Sequence, residues 1–148
     1  LITDGTDAAL LKALRKAAAD EGAMVELVAP KIGGALLSDG SLMPAHQKVD
    51  GGPSVLYDAV AVLASADGAA QLAAQKPAID FVNDAHAHCK FVAYTETSAA
   101  LLEAAGVADG LDDGYVALAK RGDVSTFIER CRAVRYWARL PDTVAPGG

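Results

Sequence analysis

Aromatic residues are scarce in this sequence, at 5% of 148 positions, while hydrophobic residues of all kinds make up 52%. The core must therefore be built from small and branched aliphatic side chains, which suits helices packed on a sheet. Cysteine is nearly absent. Cys89 and Cys131 are too few for a disulfide framework and fit a reducing, cytoplasmic compartment. No apolar run approaches the roughly 18 residues of a membrane span. Positive charge is in deficit, with 13 Lys and Arg against 19 Asp and Glu and a net charge of −6. That balance argues against a nucleic-acid surface, because phosphate binding depends on clustered Lys and Arg. What is present is enough apolar content to exclude disorder and enough length for one continuous core.

Leu1-Ile2-Thr3 runs at once into Asp4-Gly5-Thr6-Asp7, a turn and helix N-cap. The opening apolar stretch is about half the usual strand of five or six residues, which predicts a first β-strand truncated at the N-terminus and a chain belonging to a longer polypeptide. From Asp7 to Asp20, Ala8, Leu10, Leu11, Leu14, Ala17 and Ala18 recur at helical spacing opposite Lys12, Arg15, Lys16 and Asp20, and Gly22 is the natural stop. Met24 to Ala29 is a short strand closed by Pro30, so the first thirty residues form a βαβ unit with parallel strands. Asp39-Gly40, flanked by Ala35-Leu36-Leu37 and Ser41-Leu42-Met43, predicts a β-hairpin insertion near residues 33–45. Alternation then resumes, with strands at Ala59–Ala64, Phe91–Tyr94 and Tyr115–Ala119. Helices are predicted at Ala69–Gln75, Pro77–Cys89 and Ser98–Ala105, and a turn at Ser65–Gly68. Val124 to about Leu140 reads as one closing helix, with Phe127, Ile128, Cys131, Val134 and Trp137 or Ala138 inward. The domain is predicted over residues 1–140, with a flexible Pro/Gly-rich tail at 141–148.

Three blocks, Asp4-Gly5-Thr6-Asp7-Ala8-Ala9-Leu10-Leu11, Val28-Ala29-Pro30-Lys31 leading to Leu37-Ser38-Asp39-Gly40-Ser41-Leu42, and Pro53-Ser54-Val55-Leu56-Tyr57-Asp58-Ala59-Val60 leading to Asp80-Phe81-Val82-Asn83-Asp84-Ala85, cover nearly the whole chain. In order and spacing they resemble the C-terminal domain of large-subunit haem catalases. The resemblance implies a flavodoxin-like α/β fold, a three-layer α/β/α sandwich with a mostly parallel sheet, related to the class I glutamine amidotransferase-like superfamily and its ThiJ/PfpI branch. It also implies a catalase core in the same polypeptide, one that binds haem, decomposes hydrogen peroxide to water and oxygen, and forms a homotetramer. No haem is implied here, since none of Tyr57, Tyr94, Tyr115 and Tyr136 lies in the arginine-containing motif that holds the iron in that family. The implied role is stability and subunit assembly, together with chaperone-like holding of unfolded proteins.

In the ThiJ/PfpI branch a nucleophilic cysteine sits on a strained strand-to-helix turn, with a Glu from the loop after the first strand. The matching turn here precedes Ser98-Ala99-Ala100-Leu101-Leu102, which puts Thr95 at the elbow, followed by Glu96-Thr97, and Thr6 or Asp7 where the Glu would stand. A threonine hydroxyl has no accessible anion near neutral pH and no histidine in an assured position to activate it, so Thr95, Glu96 and Asp7 read as a vestigial site. The alternative is a hydrolase, amidase or deglycase with an atypical elbow at Thr95. His86 and His88 are two residues apart on a helix and point to nearly opposite faces, which disfavours zinc. Gly33-Gly34 and Gly51-Gly52 lack the strand-Gly-helix order of a phosphate loop and read as turns, and flavin binding rests on fold analogy alone. Cys131 reads as a small buried hydrophobe and Cys89 as the exposed thiol, with a peroxide-sensing role as a third reading. Finally, Arg130, Arg132, Arg135 and Arg139, with Tyr136 and Trp137, form a basic patch on an acidic chain. It is either a solvated helical face or a docking surface for the rest of the polypeptide or a sister subunit.

Overall fold

The computed structural model describes residues 1–143. A central run of parallel strands is assembled from short pieces. β1 (Val28–Ala29) pairs in parallel with β4 (Gln47–Lys48), and β5 (Val60–Val62), β6 (Val92–Tyr94) and β7 (Tyr115–Ala117) form a parallel set in that order. The segment Leu1–Thr3 joins the two. Ile2 makes a parallel bridge to Leu63 and its N–H donates to the Val28 carbonyl at 2.8 Å, while the Leu63 N–H donates to the Leu1 carbonyl at 2.9 Å. The succession β4, β1, Leu1–Thr3, β5, β6, β7 is a doubly wound order in which the first strand lies inside the second.

Alternation along each strand sends side chains to two separate cores. Val28, Val60, Val62, Val92 and Tyr115 face one core with α2 (Ala66–Leu72), α3 (Lys76–Ala87) and α4 (Ala99–Ala104). Ile2, Ala29, Leu63, Phe91, Ala93 and Val116 face the other, with α1 (Ala8–Asp20) and α5 (Arg121–Cys131). The result is the three-layer α/β/α arrangement expected. The hairpin is also present: β2 (Ala35–Leu36) and β3 (Leu42–Met43) pair antiparallel, and the Asp39 carboxylate accepts from the Ser41 N–H at 2.9 Å to close the turn.

Several boundaries differ from the sequence reading. The strand expected over Met24–Ala29 shrinks to β1, because the Leu27 N–H is taken by His46 Nδ1 at 2.8 Å and Met24 is 93% exposed. The turn expected at Ser65–Gly68 is the first turn of α2, with the Ser65 hydroxyl accepting from the Gly68 N–H at 3.1 Å. The closing helix does not run from Val124 to Leu140. α5 starts earlier and ends at Cys131, Val134 adopts the left-handed region at φ 67°, and a 3-10 turn (Trp137–Arg139) leads into α6 (Leu140–Thr143). Residues 141–143, expected in the tail, are therefore helical, and the rest of that tail lies outside the described residues.

Candidate functional site

In an open parallel sheet, ligands bind outside the carboxyl ends of the strands. Here that edge is lined by short hydroxyl side chains: Thr3 and Thr6 after the first strand, Ser65 after β5, and Thr95, Thr97 and Ser98 after β6. Their hydrogen-bonding capacity is directed inward. Thr6 Oγ1 donates to the Leu63 carbonyl at 2.6 Å and accepts from the Thr3 N–H at 3.0 Å. The Ser65 N–H donates to Thr3 Oγ1 at 3.0 Å and the Ser65 hydroxyl to the Asp4 carbonyl at 2.5 Å. Thr97 Oγ1 donates to the Ala64 carbonyl at 2.7 Å, and Ser98 Oγ, fully buried, accepts from the Ala64 N–H at 3.1 Å. Gly68 completes the closure, since a Cβ there would stand 2.1 Å from Thr3 Oγ1.

Thr95, the predicted elbow, sits within this mesh. Its backbone is ordinary extended chain (φ −91°, ψ 151°), with none of the strain that presents a nucleophile. Its hydroxyl lies 2.9 Å from Ser98 Oγ and 3.3 Å from the Ala64 carbonyl. Glu96 is exposed at the start of a 3-10 turn (Glu96–Ser98). Asp7 is occupied as the N-cap of α1, its carboxylate accepting from the Leu10 N–H at 2.9 Å. No hydrogen bond links Asp7 or Glu96 to Thr95. Two shallow clefts of about 340 Å³ lie between α1 and the hairpin, one of them beside Asp7 and Ser38 and the other beside Arg15 and Met43.

The amino edge of the sheet is built differently. The segment after α5 folds back over it, with the Tyr136 N–H donating to the Cys89 carbonyl at 2.6 Å. Arg139, expected on an exposed basic face, is 1% exposed, and this corrects its place in the proposed docking patch. Its guanidinium is bidentate to Asp112, at 2.6 and 2.9 Å, donates to the Lys90 carbonyl at 2.8 Å and lies 4.9 Å from the centre of the Tyr115 ring. Burial resists the Asp112 charge, but the Arg139 guanidinium and the Gly114 N–H hold its carboxyl below the usual value. His86 is bonded to the Tyr115 hydroxyl at 2.7 Å, and burial together with the nearby Arg139 charge lowers its pKa. Lys90 is also buried, its ammonium donating to the Ser54 carbonyl. The other expected docking residues divide. Arg132 pairs with Glu21, Arg135 donates to the Asp58 carbonyl at 3.1 Å, and the half-buried Tyr136 ring stands edge-on to Phe91, while Trp137 is 64% exposed. Trp137 and Val134, predicted to face inward, are thus exposed.

Residues 1–141 match the family described as the C-terminal domain found in long catalases. This chain belongs to that family. It is 48% identical over 141 residues to Catalase C of Rhizobium meliloti (strain 1021), covering 95% of this chain and 20% of that protein. It is 26% identical over 139 residues to Catalase HPII of Pseudomonas putida, covering 94% of this chain and 19% of that one. The chain spans about a fifth of the length of these curated relatives. Among solved structures, an oxidized DJ-1 from Toxoplasma gondii superposes with a TM-score of 0.73 at 13% identity, covering 97% of this chain and 92% of that one. A cysteine-to-alanine mutant of a DJ-1 superfamily protein from Salmonella typhimurium gives 0.74 at 19% identity, covering 97% and 94%. These likenesses establish the fold.

For a catalase C-terminal domain of this fold, the cysteines are placed opposite to expectation. Cys89 is buried at 1% exposure, in a left-handed conformation (φ 58°) that ends α3, whereas Cys131 is half-buried and its thiol is pushed up to about 12 by burial. Sequence reasoning also missed Asp112 and Lys90 as members of a buried polar cluster. One signal was available: the acidic run Asp109 to Asp113 needs a cationic partner if any of it is covered. Among the described residues, no group of three His, Cys, Asp or Glu is placed to hold a metal ion, and no helix is long and apolar enough to cross a membrane.

Proposed function

We propose that this chain is the non-catalytic C-terminal module of a long catalase, contributing subunit stability and assembly of a homotetramer. The remaining four-fifths of the polypeptide would carry the haem and decompose hydrogen peroxide to water and oxygen. The observation that carries the non-catalytic reading is Thr95: unstrained backbone, and a hydroxyl within hydrogen-bonding reach of Ser98 and the Ala64 carbonyl. An activated hydroxyl needs an adjacent base, and the groups around Thr95 are hydroxyls and a carbonyl. That weighs against the hydrolase, amidase or deglycase alternative. The hydroxyls of Tyr57 and Tyr115 are already engaged and do not fit haem ligation. Tyr57 donates to Glu26 at 2.9 Å, and Tyr115 is buried with its hydroxyl on His86. We therefore assign the haem to the core. The two free cysteines and the net charge of −6 support a cytoplasmic protein without nucleic-acid partners.

Deleting this module from the full-length polypeptide is expected to leave the decomposition of hydrogen peroxide intact but to speed thermal inactivation and shift the sedimentation profile below the tetramer. An unchanged tetramer with an unchanged inactivation rate refutes the assembly role. Holding of unfolded clients is the further part of the proposal, supported by exposed Met24, Leu36 and Leu42. Light scattering from a heat-denatured client in the presence of the full-length protein, compared with the deleted form, tests it. Equal scattering removes this part.

A further inference from the structure

Apart from Met24, Ile32 and Leu111, the exposed large apolar side chains fall in two groups at different ends of the strands. The first group is on the hairpin, at Leu36 and Leu42. The second is at the amino edge of the sheet: Val55 and Leu56 in the turn before β5, and Val134, Trp137 and Leu140 in the folded-back segment. These two stretches are fastened to the same edge. Arg135 donates to the Asp58 carbonyl, Lys90 to the Ser54 carbonyl and the Tyr136 N–H to the Cys89 carbonyl.

We propose that the amino edge of the sheet, with Trp137 as its anchor, is the face on which the preceding part of the same polypeptide packs. This rests on the reading of the chain as a module of a long catalase. Three observations point to that occupant. A C-terminal domain that spans a fifth of its relatives has the rest of such a polypeptide to pack against, and the central segment around Ile2, between β1 and β5, runs from the amino edge. The hairpin, by contrast, is hydrogen-bonded to the carboxyl-edge loop, with the Leu36 N–H on Asp4 at 2.8 Å and the Ser38 N–H on the Thr6 carbonyl at 2.9 Å. The third observation is rigidity. The turn Trp137–Arg139 is pinned from below by the buried Arg139–Asp112 pair, and Val134 is held in a conformation that a β-branched residue rarely adopts, yet the outward result is an indole 64% exposed. A backbone turn already fastened needs little ordering on binding, and tryptophan is among the residue types enriched at the energetic centres of interfaces.

Hydroxyl-radical footprinting of the full-length polypeptide tests this, because Trp137 and Leu42 are equally exposed in the free module, at 64% each. After normalisation for intrinsic reactivity, Trp137 is expected to be protected about five-fold or more, as in a desolvated interface centre, with Leu42 unprotected. Trp137→Glu in the full-length polypeptide is expected to restore labelling of Val55 and Leu56 and leave residues 35–43 unchanged. Protection of Leu42 with free labelling of Trp137 overturns the assignment of the face but keeps the docked module. Free labelling of both overturns the module reading as well. Protection of Trp137 that disappears on dilution to the monomer shows a second copy as the occupant and overturns the proposal, as does continued protection of Val55 and Leu56 in the variant.

Discussion

The two edges of one sheet have been put to opposite use. The carboxyl edge, where this fold houses chemistry, holds neutral hydroxyls that bond one another and nearby backbone groups. The amino edge, where the fold has no habitual site, holds a buried ion pair, a buried lysine, a histidine on a tyrosine and two non-glycine residues in the left-handed region. Buried charge and backbone strain are often read as marks of an active site. In this molecule they fasten a C-terminal segment to the sheet, and the elbow that topology would nominate, around Thr95, is filled with hydroxyls that carry no charge. Polar density alone therefore misplaces the function, whereas asking what each polar group is bonded to separates a strut from a reagent.

The comparison is broken most forcefully at Arg139. Arg139→Ala leaves Asp112 without its cation; removal of one partner of a fully buried pair costs about 3–5 kcal/mol, and the 24% exposure of the Asp112 side chain lowers the expected loss to about 2–4 kcal/mol. Urea denaturation should show a loss of that size, with the midpoint falling at a similar slope. If the loss is below about 1 kcal/mol, in the range of surface pairs, the amino edge is not the fastening described. The carboxyl edge should respond to overfilling. Gly68→Ala forces a methyl group into Thr3, and overpacking of this kind costs about 1–3 kcal/mol. The double variant Gly68→Ala with Thr3→Ser removes one of the atoms in the way, the Thr3 methyl, and should recover part of the loss. A smaller effect of opposite sign is expected at Val134. Its left-handed backbone costs roughly 1–2 kcal/mol relative to a residue without a Cβ, so Val134→Gly should raise stability by up to about 1 kcal/mol once the flexibility of glycine in the unfolded chain is subtracted. Thermal melts of the single variant suffice to decide the sign.

Legibility followed the range of the interactions concerned. The layered α/β fold could be read because its signal is local: valine and alanine alternate in Ala59–Ala64 and Phe91–Tyr94, and Leu11, Leu14 and Ala18 recur along one face of α1. β4 could not be read. Gln47 and Lys48 are polar and belong to the sheet only through backbone pairing with Val28 and Ala29 at its edge. The Val124–Leu140 stretch misled for the opposite reason, since its apolar spacing continues past Cys131 while contacts from distant residues turn the chain. Asp112 captures Arg139 and the Cys89 carbonyl captures Tyr136, and neither is visible in a window of helical periodicity. At the candidate site, the identity of the elbow residue was legible and its geometry was not. Thr95 lacks a thiolate by its identity alone, but its relaxed backbone is set by the strands and turn around it and leaves no mark on the sequence.

The smallest effect is also the one that separates the two edges without altering any packing. Acid should act on the amino edge through His86, whereas the hydroxyls that fill the carboxyl edge do not titrate between pH 5 and 8. His86 has its folded pKa lowered, by burial first and then by Arg139, with Asp112 and Asp142 opposing. The unfolded chain therefore binds a proton more readily than the folded one. The stability contributed by neutral His86 is complete above the ordinary histidine value of about 6.5 and is lost as pH falls through it toward the folded value. Asp112 has the same sign at lower pH. Its carboxylate is held below the usual range, so its contribution is complete above about 4 and declines as pH falls toward the folded pKa. Stability measured from pH 8 to 5 should thus fall in the wild-type chain and fall less in His86→Gln, which keeps an acceptor for the Tyr115 hydroxyl without a proton to gain. In Thr95→Ala, altered only at the carboxyl edge, the pH profile should be displaced downward by about 1 kcal/mol for the lost hydrogen bonds and keep its shape. A profile whose shape changes in Thr95→Ala but not in His86→Gln would place the titrating group at the wrong end of the strands and undo the contrast between the edges.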